Sequence, residues 1–272
     1  VSSAAEREGL ERAAQASPLV PWTALRPRFA KAWKPGQHIA VFGPNGYGKT
    51  TAAIELGELP NVPTILVVTK RRDGLISALP KRGWTLTRTL EQTKHAVDNR
   101  QAGERYFGRG ASSTPPRIVF WPTATGGLKQ RRAKLRTILE RLLDWVYEHG
   151  NVVVIVDEGI FLIRNLRQGE NVEMLLHEVR SSGVSLVLLG QRPAWFPHSV
   201  YSASTWLLMF ATNDPDDLKR LSEIGGGIDP KALREDVQLL PMYEFVLVSP
   251  RSKPPWSIRT SIPPQKPPRA RR

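Results

Sequence analysis

Residues 41–51 read VFGPNGYGKTT, and this stretch narrows the possible folds more than any other part of the chain. Gly43, Gly48, Lys49 and Thr50 satisfy GxxxxGK[ST]; a strand-like apolar run enters the loop and the helix-forming run TTAAIELGEL leaves it. The pattern suits phosphate binding, because glycines let backbone amides turn inward and the start of a helix adds partial positive charge. Gly43, Pro44, Asn45, Gly46, Tyr47, Gly48, Lys49, Thr50 and Thr51 are therefore the expected nucleotide-binding residues. Amides from Asn45 to Thr50 would surround the α and β phosphates, Lys49 would reach β and γ, and the Thr50 hydroxyl would ligate Mg2+. A glycine-rich turn that merely precedes a helix is the plainer alternative, and the spacing and both flanks argue against it.

Such a loop needs a sheet behind it. HIAVFG (38–43), TILVVT (64–69), RIVFW (117–121), VVVIVD (152–157), SLVLLG (185–190) and STWLLMF (204–210) are short, nearly continuous apolar runs. Runs of this kind fit strands covered on both faces, as in a mostly parallel sheet sandwiched by helices. YEFVLVS (243–249) reads as a last strand. Leu135, Ile138, Leu139, Leu142, Leu143 and Val146 recur at helical spacing and Gly150 supplies a stop, so this segment reads as a crossover helix feeding the strand at Val152. The expected fold is α/β, a central sheet flanked by helices over residues 37–250. Residues 1–36 read as a leader with a short helix near Ala4 to Ala16. Residues 85–116 show no clear apolar period and read as an insertion or mobile loop. Residues 251–272 read as a disordered, basic, proline-rich tail.

Charge narrows the partners. The formal net charge is +14, and RSKPPWSIRTSIPPQKPPRARR at the C-terminal end carries seven basic residues and no acid. Such a cluster is attracted to the phosphates of nucleic acid or of an acidic membrane face, without reading sequence. The absence of cysteine excludes disulfides and thiolate metal sites and fits a reducing interior. No apolar run approaches the roughly 18 residues of a membrane helix, and VSSAAEREGLERAAQA is too charged for a signal peptide. A cytoplasmic protein without a transmembrane segment is the expectation.

Two further elements suggest how a bound nucleotide would be used. NVVVIVDEG ends an apolar strand in Asp157 and Glu158: the first is placed to orient Mg2+, the second to act as base on an attacking water. Capping of the next helix is the alternative role for this pair. VSLVLLGQRP ends a later strand in Gln191, whose amide can sense the γ-phosphate and hold the water if that strand lies between the other two. An extra strand between phosphate loop and acid defines the RecA-like (ASCE-type) P-loop NTPase arrangement.

VRSSGVSLVLLGQRP, residues 179–193, resembles the corresponding segment of the FtsK and HerA superfamily of DNA-pumping ATPases. The resemblance covers roughly residues 37–210. It implies ATP and Mg2+ as cofactors, a homo-oligomeric ring with a hexamer as the arrangement to test, and DNA as a partner held without sequence specificity through basic loops and tail. It gives Lys49, Thr50, Asp157, Glu158 and Gln191 the nucleotide, magnesium, base and sensor roles, and Arg180 a place from which to reach a neighbouring subunit's nucleotide. Arg164, Arg167 and Arg192 compete with Arg180 for that role. VVTKRRDGLISAL resembles the family's placement of a Lys near an acid, with no chemistry assigned to it. No orientation-reading domain or membrane anchor is visible, so a compact packaging or DNA-transfer ATPase of a phage or mobile element fits better than the large segregation machines. KRRD (70–73), and Arg100, Arg105 and Arg109 with Tyr106 and Phe107, are the candidate DNA-gripping residues. A nucleotide switch acting on a protein partner and a membrane-associated assembly ATPase stay open. The guanine-reading Asn-Lys-x-Asp motif and the Leu-Ser-Gly-Gly signature are absent, which disfavours a GTPase and an ABC-type ATPase.

Overall fold

The computed structural model describes residues 19–107, 114–223 and 228–264. Among the described residues ten strands form one sheet: β1 (Val20–Pro21), β2 (His38–Phe42), β3 (Thr64–Val67), β4 (Thr85–Thr87), β5 (Arg117–Phe120), β6 (Val153–Val156), β7 (Ser185–Gly190), β8 (Ser204–Phe210), β9 (Glu244–Ser249) and β10 (Trp256–Ser261). Their spatial order is β1-β10-β9-β8-β2-β7-β6-β3-β5-β4. From β8 to β4 all neighbours are parallel, while β9 runs antiparallel to both β8 and β10.

The continuous apolar runs follow from burial on both faces. In β2, Ala40 and Phe42 join one core while Ile39 and Val41 join the other. The first core is closed mainly by α3 (Leu90–Phe107), α4 (Leu128–His149), α5 (Gly169–His177) and α6 (His198–Ala203), with α7 (Pro215–Ser222) and α8 (Pro230–Gln238) at its edge. The second is closed by α1 (Trp22–Ala32), α2 (Lys49–Gly57) and the 3-10 segment Ile76–Arg82. Leu135, Leu139, Leu142, Leu143 and Val146 are buried on α4, as their spacing predicts.

Three stretches differ from the sequence expectation. The leader is partly core: Trp22, Leu25 and Phe29 of α1 are buried on the sheet, and Trp22 and Phe29 pack ring to ring. The anticipated helix near Ala4 to Ala16 lies outside the described residues. The supposed insertion begins with edge strand β4 and continues as α3. Its period was hidden because a polar residue fills one inward position: Leu90, Thr93 and Val97 are all buried, and Thr93 bonds Thr87 at 2.8 Å. The tail is not disordered throughout. Trp256–Ser261 pairs with β9, and alternation sends Trp256 and Ile258 toward the second core with Ile262 buried beyond them. Residues 265–272 lie outside the described part.

Candidate nucleotide site

The sheet order places β7 between β2 and β6, so the loops leaving these three strands converge. Ligands in open α/β sheets bind at such carboxyl ends. Between them lies a cavity of about 610 Å3, lined by Asn45, Gly46, Gly48, Lys49, Thr50, Thr51, Asp157, Glu158 and Gln191 among others. Gly43, Pro44 and Tyr47 shape the loop instead. Gly43 has φ 152°, and a Cβ there would lie 2.3 Å from Cβ of Phe210. The Pro44 carbonyl accepts a 2.8 Å hydrogen bond from Lys49 Nζ, and Tyr47 packs against the core. Gly48 caps α2 with φ 104°, a left-handed turn that glycine adopts without strain.

Thr50 and Asp157, far apart in sequence, meet: Thr50 Oγ1 donates to Asp157 Oδ1 at 2.8 Å. Two hard oxygens, one on a carboxylate whose side chain is 2% exposed, form a donor set that suits Mg2+ completed by phosphate oxygens and water. Glu158 is half-exposed one residue further on, where it can reach a water in the cavity. Gln191 is exposed at the end of β7 and lines the same space.

Lys70, a DNA-gripping candidate by sequence with no role expected at the nucleotide, also lines the cavity. Its Nζ lies 2.5 Å from Asp157 Oδ2 and 3.8 Å from Glu158 Oε1. The turn that carries it is held on both sides, since Trp121 Nε1 donates to the Lys70 carbonyl and an Arg131 guanidinium N–H to that of Thr69, each at 2.6 Å. Burial alone would lower the Lys70 amine pKa; the charge and hydrogen bond of Asp157, then Glu158 and Asp73, outweigh it and hold the pKa above 10.5. Lys49 moves the other way. Burial lowers it to about 8, Asp157 raises it, Lys70 lowers it further and Glu158 raises it. The signal for Lys70 was its position one turn beyond a strand that proves to adjoin β6.

This changes the reading of KRRD as a DNA grip. Lys70 belongs to the nucleotide cavity, and Asp73 caps the 3-10 segment through the amides of Leu75 and Ile76, each at 3.0 Å. Arg71 and Arg72 remain exposed. Arg100, Arg105, Tyr106 and Phe107 belong to the helical backbone of α3, while Arg109 lies outside the described residues. Arg180 does not join the cavity of its own chain. It is exposed before β7, at the end of the sheet opposite Gln191, where its carbonyl abuts Gly36. Arg192 is engaged within the chain, paired with Asp214 and Asp217 and lying over Trp195, and Arg164 donates to the Trp195 carbonyl.

A family profile described as "AAA domain" matches residues 33–196, more than half of the chain and all of the motifs above. The chain belongs to the AAA domain family. This AAA-domain chain shares its fold with the DNA-packaging ATPase B204 from Sulfolobus turreted icosahedral virus, at TM-score 0.55 and 18% identity over 83% of this chain and 98% of that one. B204 from Sulfolobus turreted icosahedral virus 2 in complex with ATP-gammaS is similar at TM-score 0.52 and 17% identity over 85% and 100%. VirB4 of Thermoanaerobacter pseudethanolicus is similar at TM-score 0.56 and 12% identity over 84% and 89%. None of the curated proteins matches in sequence. The chain is thus a RecA-like P-loop NTPase, and the FtsK/HerA resemblance holds at the level of fold. Among the described residues no helix is long and apolar enough to cross a membrane.

Proposed function

We propose that this chain is an ATPase that uses Mg2+-dependent hydrolysis to move DNA, in genome packaging or DNA transfer, as a homo-oligomeric ring. One observation carries the reading: the β2-β7-β6 order that gathers Lys49, Thr50, Asp157, Glu158 and Gln191 around a single cavity. Lys49 gives up its bond to the Pro44 carbonyl and takes the β and γ phosphates. Thr50 and Asp157 would hold Mg2+, which when bound would supply positive charge to offset that developing on the phosphates. Glu158 accepts the proton of the attacking water, and Gln191 holds that water against the γ-phosphate. DNA as the object moved is supported by the likeness to a packaging ATPase and by the net charge of +14. Arg180, remote from its own cavity, is assigned to the nucleotide of a neighbouring copy, and exposed Arg71 and Arg72 to the DNA backbone.

The test is steady-state ATP hydrolysis with and without long double-stranded DNA. Several-fold stimulation is expected, with Glu158→Gln lowering the rate by about 10²- to 10⁴-fold while ATP binding persists. Hydrolysis indifferent to DNA over a range of salt would overturn the motor reading in favour of a nucleotide switch that acts on a protein.

A further inference from the structure

We infer that Tyr243 and the recess beside it bind the nucleobase; this rests on the nucleotide-site reading above and extends it to the other end of the ligand. A triphosphate in the loop has a fixed polarity. Its γ end must face Glu158 and Gln191, which extend from β6 and β7 on one side of β2. In-line attack puts the leaving oxygen, and everything attached to it, on the side away from the water. The nucleoside therefore leaves toward β8 and β9, the opposite flank of β2.

Tyr243 stands on that flank, at the start of β9. Its half-buried ring lines the cavity and covers Gly48 so closely that a Cβ there would meet Tyr243 Cδ1 at 2.8 Å. The backbone is held in an unfavourable state to present it, since φ is 66° for a bulky aromatic residue. Two hydrogen bonds impose that state: the Tyr243 amide donates to the Tyr47 carbonyl at 3.0 Å, and its own carbonyl accepts from Ile262 at 2.8 Å. Phosphate loop, Tyr243 and the segment after β10 are thereby joined. Outside the ring opens a recess of about 410 Å3 bounded by Pro21, Met242, Tyr243, Pro263 and Pro264, with the polar side chains of Thr23, Glu244 and Ser261 also on its wall. Met242 is 55% exposed there, an apolar surface that a planar base would cover. One aromatic face with the apolar surfaces of Met242 and the prolines beside it recognises a purine by stacking.

The test separates base from phosphates by measuring calorimetric affinities for ATP and for inorganic tripolyphosphate, each with Mg2+. The substitution is Tyr243→Asn, because Asn tolerates a positive φ while removing the ring. ATP affinity should fall about tenfold, the order of one lost stacking contact, with tripolyphosphate unchanged and Tyr243→Phe restoring ATP binding. Equal weakening of both ligands, or of neither, overturns the assignment. Wild-type protein that binds neither ligand overturns the nucleotide site itself. Photolysis of wild-type protein with 8-azido-ATP needs no variant: label within residues 242–264 supports the proposal, and label at Leu75 or Phe161, beyond the γ end, refutes it.

Discussion

Acid should loosen this protein through one histidine. His38 opens β2, the strand that delivers the phosphate loop, and is 3% exposed. Its Nδ1 accepts a hydrogen bond from the Leu186 amide at 3.1 Å, which ties β2 to β7 and requires the neutral ring with its proton on Nε2. Burial lowers its pKa to about 4, the Leu176 carbonyl pulls it upward, and Arg251, Arg180 and His177 lower it further. A folded pKa below the unfolded 6.5 means that the unfolded chain takes up the proton first. The stabilisation is therefore complete above pH 6.5 and is lost as pH falls toward 4. At about 1.4 kcal/mol per pH unit, the gap amounts to about 3 kcal/mol, with about 2 kcal/mol already gone at pH 5. The assay is urea unfolding at intervals from pH 7.5 to 4, compared with His38→Asn, whose amide oxygen can accept the Leu186 N–H without titrating. Carboxylates common to both proteins cancel in the difference. The wild type should lose about 3 kcal/mol more than the variant across that interval. Parallel curves would refute the reasoning.

Two more substitutions test the parts around the cavity. Lys70→Met keeps the volume and removes the charge; because the lysine side chain is 35% exposed and that of Asp157 only 2%, the cost should fall between buried and surface pairs, about 1–2 kcal/mol. A double-mutant cycle with Asp157→Asn should recover most of that as coupling, and the effect should persist below pH 10.5 and fade above it, since the amine is held above its ordinary value; an unchanged cost of Lys70→Met in the Asp157→Asn background would show that the ion pair is not its source. Gly190→Ala places a Cβ 2.1 Å from Cε2 of the buried Phe196, which is packed edge-on against Phe42, so about 1–3 kcal/mol of overpacking is expected in thermal or urea unfolding.

The central sheet could be read from the sequence because burial on both faces forces unbroken apolar runs, and β2, β3, β5, β6, β7 and β8 each left one. Thr50, Asp157 and Gln191 could be placed together because their roles demand a strand order, and only the order with β7 in the middle satisfies all three. Where burial used mixed residue types, the pattern was obscured. Thr93 stands in the buried stripe of α3, and β10 alternates among Trp, Ile and Thr inside a stretch whose prolines and cations suggested disorder. The segments at the two ends escaped for a related reason, since β1 and β10 are bound to the sheet chiefly by pairing with each other and with β9, a relation no local window contains.

Lys70 and Tyr243 mark the same boundary at the level of chemistry. A lysine after a strand is ordinary until that strand is set beside β6, whereupon its amine meets Asp157 at 2.5 Å. A tyrosine before a strand is ordinary until two other segments, the phosphate loop and the stretch after β10, hold it at φ 66° over Gly48. Each residue acquires its role from strands distant in sequence, so what the phosphate loop establishes for itself is the grip on phosphate. Control of the charge at one end of the nucleotide and of the base at the other comes from the sheet around it.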